Sequence, residues 1–501
     1  MNWQNYPFVR LVIPFAFGMV GAHLFVSPQH RMLLFLLCCL ALVGLVLLFF
    51  SRKGNRIRES VFGVVAMALA FLVGMTLYAE KLYQMDCGVP QDSTCCQGVL
   101  AEVPVEKTHS RALNLEQEDG THLMLYVSKE DTAASLAVGD TIYASIRHLQ
   151  PTSNGGREFE EYRKFLFYHN ICATCYAPTA WWRVHPRRGG LSLFQQLRSM
   201  QSRLHRIYDE RGVEGEAGGI VEAMSIGRKA TLTPTIRQAY AAAGVSHMLA
   251  LSGFHVGIIV MFLQLFFLGR LLPQRWQWVS HLALIVILWS YALLAGWSPS
   301  LVRATCMFTL LLLCQFLSKD PLSINSCALT FLVMTCGNPF YVNDVGFQLS
   351  FVSVGCIALF VQTTAERSLF LQRNPCVAWL YSLFMVSLTC MVFSTPLVAY
   401  HFGRVPLLSL LGNLALTPFV YVIILGSIFW WAFLWCTPVN ETLTGVLNWT
   451  AETMNGIVRS IADLPFSTLE WHPNGLFTFG CYLVLVPLFY YLTKKLRKLP
   501  Q

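Results

Sequence analysis

Leu33-Leu-Phe-Leu-Leu-Cys-Cys-Leu-Ala-Leu-Val-Gly-Leu-Val-Leu-Leu-Phe-Phe50 contains no charged residue and no proline. A bilayer span needs about 20 mostly apolar residues, and this run with its flanks meets that length. Leu282-Ala-Leu-Ile-Val-Ile-Leu-Trp-Ser-Tyr-Ala-Leu-Leu294 repeats the pattern far downstream. The whole chain agrees: 55% of its 501 residues are hydrophobic and 13% are charged, where a soluble protein carries about 25% charged residues. So thin a supply of polar side chains cannot coat a soluble protein of this size. The fold class is a polytopic α-helical membrane protein.

Working outward, apolar segments at about 8–26, 32–50 and 60–79 form a three-span region over residues 1–80. The first lacks a strongly basic start and is followed at once by another span, so it does not read as a cleavable signal peptide. Arg52, Lys53, Arg56 and Arg58 crowd the loop after the second segment. The positive-inside rule puts that loop, and hence the N-terminus, in the cytoplasm. Residues 81–185 are then delivered outside. The net charge of +9 is what basic cytoplasmic loops supply by themselves. The 16 cysteines are scattered and many lie in apolar runs, where a free thiol behaves as a small hydrophobe.

Residues 86–185 differ in kind. Polar and apolar residues alternate in Gln97–Val105, Thr121–Ser128, Asp140–His148 and Asn170–Ala177, the pattern of half-buried strands. Leu123, Leu125 and Val127 share one face; Ile142, Ala144 and Ile146 share another. Four or five strands in this length suit an inserted extracytoplasmic small β-barrel, with the five-stranded oligonucleotide/oligosaccharide-binding (OB-like) barrel as the leading candidate. Cys172 and Cys175 stand at an odd offset that sends strand side chains to opposite faces. A bridge from either to Cys87, Cys95 or Cys96 is therefore favoured over one between them.

Residues 186–217 hold a basic amphipathic stretch, Leu191–Arg211, expected to lie on the membrane surface. From 218 to 501 apolar segments return at about 247–270, 279–296, 302–317, 323–337, 345–362, 379–399, 406–435 and 476–493. Pro406, Gly412 and Pro418 mark 406–435 as a re-entrant or broken pair. The basic end Lys494-Lys495-Leu496-Arg497-Lys498 belongs in the cytoplasm.

A charged group in hydrocarbon costs at least about 2.5–3.5 kcal/mol, so the polar residues of this half need partners or a watery path. Read as one helix, His247, Leu251 and His255 form a stripe, with Ser252 beside His255. Gly253 and Gly257 permit close helix approach, or Gly253 breaks the helix and exposes backbone that only a cavity satisfies. Arg303, Asp344, Gln348 and Asn413 complete the set. Singly these suit ordinary helix-to-helix bonding; together they argue a polar path. Ser252 and His255 also raise an intramembrane serine hydrolase, though no Gly-x-Ser-x-Gly elbow surrounds Ser252. No Gly-x-x-x-x-Gly-Lys-Ser/Thr run is present, and no metal or other cofactor is called for.

Ser246-His-Met-Leu-Ala-Leu-Ser252-Gly-Phe-His255-Val resembles the signature of the ComEC competence family, DNA-uptake channels of the bacterial inner membrane. Arg303-Ala304 after Trp297-Ser-Pro299, Asp344-Val-Gly-Phe-Gln348-Leu-Ser-Phe, and Phe402-Gly with Asn413-Leu and Pro418 match in order. Glu158-Phe-Glu-Glu-Tyr162-Arg-Lys-Phe-Leu166 and Ile171-Cys-Ala-Thr resemble the end of that family's N-terminal domain. Many members carry a metallo-β-lactamase-like domain thought to degrade the non-transported strand. No His-x-His-x-Asp-His run occurs here, so the expectation is the form without it, with any nuclease on another polypeptide.

The resemblance implies passive, non-enzymatic passage of single-stranded DNA, with direction supplied by a separate cytoplasmic helicase-like ATPase and strands delivered by an outer DNA receptor. His247, Ser252, Gly253, His255, Arg303, Gln348 and Asn413 are then expected along the path, while Asp344, which would repel phosphate, pairs with a cation and supports the fold. On the outer domain Lys107, Arg111, Tyr126, Tyr143 and Arg147 are the expected DNA contacts, by stacking and phosphate pairing. A transporter or flippase for an anionic lipid-linked glycan is the competing reading.

Overall fold

The computed structural model describes residues 6–25, 30–50, 56–89, 95–101, 104–106, 110–128, 136, 138–146, 148–152, 165–178, 181–185, 193–229, 231–265, 277–316, 323–361 and 374–496. Among them, six helices are long and apolar enough to cross a membrane. Two compact units divide the chain: Met1–Ser199 with Ala328–Asp344, and Met200–Cys327 with Val345–Gln501.

The first unit opens with α1 (Pro7–Phe25), α2 (Arg31–Phe50) and α3 (Arg56–Cys87), close to the expected segments. α3 continues beyond the expected end at 79, because the polar Glu80, Lys81 and Gln84 are good helix formers that carry the chain on past the apolar run. Gly18 on α1 lies against the Phe71 carbonyl of α3, and Gly74 on α3 against the Phe15 carbonyl of α1. The two glycines let these backbones touch, the usual use of small residues between spans. Arg31 pairs with Glu80 at 3.2 Å and lies over the Tyr83 ring. Tyr78 bonds His23 at 2.9 Å and receives Asn343 at 2.8 Å, so a buried polar knot fixes the end of the helix pair.

The sheet follows: β1 (Cys95–Leu100), β2 (Val105–Glu106), β3 (Ser110–Glu116), β4 (His122–Ser128), β5 (Thr141–Ser145), β6 (His148–Pro151), β7 (Ile171–Ala177) and β8 (Trp182–His185). Their order is β6-β7-β4-β3-β1-β5-β8, with β2 paired to β3. β4 and β7 run parallel and the other pairs antiparallel. Leu123, Leu125, Val127, Ile142, Ala144 and Ile146 are all buried, as their alternation requires. The sheet has more strands than the four or five expected. β3 and β8 lie outside the alternating runs singled out from the sequence: Ser110–Glu116 alternates only from Leu113 and Trp182–His185 is only four residues long, while Asp140–His148 divides between β5 and β6.

Cys172 corrects a simple reading of strand alternation. The β4–β7 register shifts between His122 and Leu123, leaving Cys172 as the extra residue of a bulge. Both Cys172 and Cys175 are buried. Cys175 faces inward beside Cys96 and exchanges a side-chain hydrogen bond with it, while Cys172 reaches the Gly88 and His122 carbonyls at 3.1 and 3.3 Å. All these thiols are free.

The second unit is helical: α4 (Leu193–Glu210, its start in the first unit), α5 (Gly215–Ser225), α6 (Pro234–Ala242), α7 (Gly253–Leu263), α8 (Gln277–Leu294), α9 (Pro299–Phe316), then, after α10 (Ser323–Gly337), α11 (Val345–Cys356) and α12 (Pro375–Phe402). β9 (Arg404–Pro406), α13 (Ser409–Ala432), α14 (Thr437–Ala462), β10 (Thr468–Glu470) and α15 (Gly475–Leu496) complete it. The apolar core joins α4 to α9, α13 and α14.

Three expectations are corrected here. Residues 247–270 do not form one helix: a 3-10 turn at Ser246–Met248 precedes α7. Residues 406–435 do not break into a pair. Pro406 lies in β9, and α13 runs unbroken through Gly412 and Pro418; Pro418 stands in the helix interior, where it removes one backbone donor without ending the helix. Finally, α5, α6 and α14 were invisible to a search for apolar runs. α14 buries Asn440, Thr444, Thr450 and Asn455 alongside Leu447, Met454 and Val458. Its inward polar residues have partners, with Trp430 Nε1 donating to Thr444 Oγ1 at 2.8 Å and Tyr240 Oη to Asn455 Oδ1 at 3.2 Å.

α4 is amphipathic as expected, and it packs into the core through Leu204, Ile207 and the fully buried Tyr208. Tyr208 stacks on Trp430, accepts from Trp431 Nε1 at 2.8 Å and donates to Ser225 Oγ at 3.1 Å. Arg203 and Arg206 remain exposed.

Candidate conduit site

Residues Gly244–Gly257 form a turn, an extended stretch and the start of a helix. Gly244 has φ of +73°, and a Cβ there would press on Ser409 and on Pro406 at 2.9 Å. Only glycine fits, which seats the turn on the N-terminus of α13. The peptide then leaves helical geometry until Ser252, the residue preceding α7. Backbone at such a break needs protein partners in an apolar setting. Ser300 Oγ supplies one, donating to the Leu251 carbonyl at 2.6 Å.

α7 then packs against α9 and α13. Gly253 packs toward Ala304, whose methyl a Cβ there would meet at 3.8 Å, and Phe254 meets the Tyr421 ring edge-on. His255 is fully buried. Its Nδ1 bonds Ser252 Oγ at 2.9 Å, and its Nε2 makes no hydrogen bond among the described residues. His247 is exposed on the turn rather than one helical stripe away, yet close enough to His255 to interact electrostatically. The break therefore brings His247, Ser252, Gly253 and His255 together by a route the helical reading did not contain.

The remaining expected path residues sit elsewhere in this unit. Arg303 is buried in α9, donates to the Gly346 carbonyl at 3.1 Å and lies over the Phe347 ring. Its charge braces α9 against α11. Gln348 Oε1 meets His401 Nε2 at 2.9 Å, joining α11 to α12. Asn413 is half-buried, and its Oδ1 is a buried acceptor with no hydrogen bond among the described residues. Asp344 belongs to the other unit, where its amide closes a turn on Tyr341.

Serine hydrolysis needs an imidazole whose second nitrogen is oriented by a third group. Among the described residues no group orients His255 at Nε2.

The sheet domain separates the expected outer contacts. Lys107 and Arg147 lie outside the described residues. Arg111 pairs with Val127 and shares the face of Leu113 and Leu115, whereas Tyr126 pairs with Ala112 and Tyr176 on the opposite face. Tyr143, on β5, is two strands further along the sheet.

Sequence reasoning missed one buried polar cluster. His205 Nδ1 meets Glu222 Oε1 at 2.6 Å, and its Nε2 meets Asp209 Oδ2 at 3.2 Å. Burial pushes the Glu222 carboxyl up, against the opposing pull of His205 and Arg228. The imidazole is clamped between two carboxylates, which places its nitrogens for ion pairing. The signal was available: His205 and Asp209 are one helical turn apart, but their partner comes from α5.

Against known sequences, the family model for competence proteins matches residues 224–495, more than half of the chain. The chain belongs to the competence-protein family. Residues 244–257, the break and its buried histidine, fall inside the matched stretch, as do Arg303, Gln348 and Asn413. ComE operon protein 3 of Bacillus subtilis is 28% identical over 278 residues, covering 54% of this chain and 34% of that protein. Recombination protein 2 of Haemophilus influenzae is 26% identical over 286 residues, covering 51% and 35%. Competence protein ComA of Neisseria gonorrhoeae is 28% identical over 291 residues, covering 54% and 40%. The chain thus spans about a third to two fifths of the length of these relatives. No solved structure matches it.

Proposed function

We propose that this membrane protein conducts single-stranded DNA across the bacterial inner membrane during natural transformation, as a passive, non-catalytic conduit. The observation that carries the reading is the helix break before α7, inside the family-matched stretch, where His255 is buried with an unbonded ring nitrogen. A conduit for a polymer needs weak, distributed polar contacts so that the strand keeps moving. Neutral groups such as His247, Ser252, His255, Gln348 and Asn413 suit that better than a dense cationic cluster. Arg303 serves by holding α9 and α11 in register, and Asp344 supports the fold.

The sheet domain is the outer, strand-binding part, with an OB-type closed barrel as its form. Supporting that form, β5 and β6 are separated in sequence by two residues, and β5 pairs with β1 while β6 pairs with β7. The parallel β4–β7 pair also fits that topology. Arg111, Tyr126 and Tyr143 offer it cations and rings for phosphates and bases. Both termini are cytoplasmic and α4 borders the lipid headgroups. A cytoplasmic helicase-like ATPase pulls the strand and an outer receptor delivers it.

Deleting the gene and following labelled double-stranded DNA into intact cells tests the reading. DNA held in a protected outer compartment but absent from the cytoplasm is the expected result. Unchanged cytoplasmic entry sinks it.

A further inference from the structure

Resting on the strand-binding reading of the sheet domain, we propose that the outward face of β1, β5 and β8 is a base-stacking site for single-stranded DNA, built from Tyr143, Trp181, Arg183 and His185. The register places these side chains together. Gln97, Tyr143 and Arg183 are direct partners across three adjacent strands, and Thr141 pairs with His185 one step along. Trp181 extends the row at the other end, its carbonyl accepting from the Ser145 amide at 2.7 Å. Residues two apart share a strand face, so Trp181, Arg183 and His185 project side by side with Tyr143 in the next strand. Their opposite-face neighbours Cys96, Ile142 and Ala144 are buried and hold the strands flat against the core.

The face is concave and accessible. It lines an open groove of about 610 Å³, bordered by Gln97, Tyr143, Ser145, Trp181, Arg183 and His185. That volume lies in the range of about 300–1,000 Å³ typical of ligand sites. Trp181 and Tyr143 are 52% and 43% exposed, so both rings are open to a ligand. Tyr143 and His185 meet edge to face with centroids 5.3 Å apart. Arg183 makes no ion pair among the described residues, and no carboxylate lines the groove.

Rings alternating with a lone cation and neutral donors match a polymer of stackable bases and single negative charges. A protein partner's apolar surface would find the rings interrupted by Arg183, Ser145 and Gln97. Tyr126 and Tyr176 form a separate pair on β4 and β7, so this groove is a second contact along the strand.

The full-length protein in nanodiscs, with a labelled oligothymidylate carrying 5-iododeoxyuridine, tests the assignment. Photocross-links are expected at Trp181 or Tyr143, with bound oligonucleotide shielding Cys95, which also borders the groove, from maleimide. Trp181→Ala and Tyr143→Ala should each weaken binding roughly 5- to 100-fold, the range for loss of one stacked base. Trp181→Phe and Tyr143→Phe should retain it, and Arg183→Gln should lower the salt slope by about 0.7. Oligonucleotide that binds with cross-links elsewhere and unchanged affinity in the alanine variants overturns this site while leaving the outer strand-binding reading intact. No binding at all removes that reading and the site with it. A photoactivatable anionic phospholipid that labels residues 181–185 without competition from oligonucleotide makes the groove a membrane contact and overturns the proposal.

Discussion

Ser252 Oγ and His255 Nδ1 lie 2.9 Å apart across the first turn of α7, and the imidazole's other nitrogen makes no hydrogen bond among the described residues. A buried polar atom without a partner costs about 1–3 kcal/mol. A bundle whose only task was to be stable would have placed an apolar residue there.

Ser252→Ala removes the side-chain hydrogen bond to His255 Nδ1. We expect about 1–3 kcal/mol of lost stability and slower DNA entry that remains measurable. Thermal unfolding in detergent and a time course of cytoplasmic DNA check the two effects. Complete loss of entry from a fully folded variant would argue against a conduit residue.

Gly244→Ala places a Cβ against Ser409 and Pro406 in a left-handed backbone conformation. Strain and overpacking together should cost about 2–4 kcal/mol. Gly445, on the exposed side of α14 with open space around it, is the control: alanine there should stabilise by about 0.5–1 kcal/mol. Midpoints of thermal unfolding for the two variants should move in opposite directions.

Arg303→Ala should separate α9 from α11 by removing the donor to Gly346 and the cation over Phe347. Reduced DNA entry is expected, with binding to the sheet domain unchanged. The same variant should lower thermal stability, because the guanidinium is buried and acts as a brace. Normal stability with impaired entry would instead place Arg303 on the path itself.

Glu222 supplies a pH dependence. Its carboxyl is raised by burial, so the folded state holds a proton that the unfolded chain releases near pH ~4.3. Stability is therefore greatest below that value and falls as pH rises through the higher folded-state value. Glu222→Gln cannot ionise and should escape this loss. Its unfolding temperature relative to the parent should climb as pH rises above about 4.5; parallel curves would dismiss the ionised carboxylate as a cost.

Thiol chemistry reports on the sheet domain. Cys95 is exposed, while Cys172 is buried in its bulge with the thiol pushed up to about 11. The thiolate is the reactive form, so impermeant maleimide applied to intact cells should modify Cys95 and spare Cys172 until the domain unfolds. Modification of Cys95 only after the membrane is opened would reverse the proposed orientation.

Membrane class, the three N-terminal helices and the inward faces of β4 and β5 were legible because each depends on neighbours in sequence. Apolar length decides a span, and period-two alternation decides which strand face is buried. Leu123, Leu125 and Val127 need no knowledge of β3 or β7 to be assigned inward. β8 and α14 were not legible, since Trp182–His185 becomes a strand only by pairing with β5, and α14 is a core helix whose buried asparagines and threonines find partners on other helices.

The candidate site divides the same way. The residues of the Ser246–Val256 segment were singled out by their type and by their likeness to a family, which are properties of the chain itself. That His247 and His255 meet across a turn rather than along a helix was decided by Gly244 against α13 and by Ser300 reaching the Leu251 carbonyl. Those contacts join residues 49 or more positions apart in sequence, and only the folded packing brings them together. Local periodicity carries the information for what is buried; which buried polar group answers which other is a property of the tertiary structure.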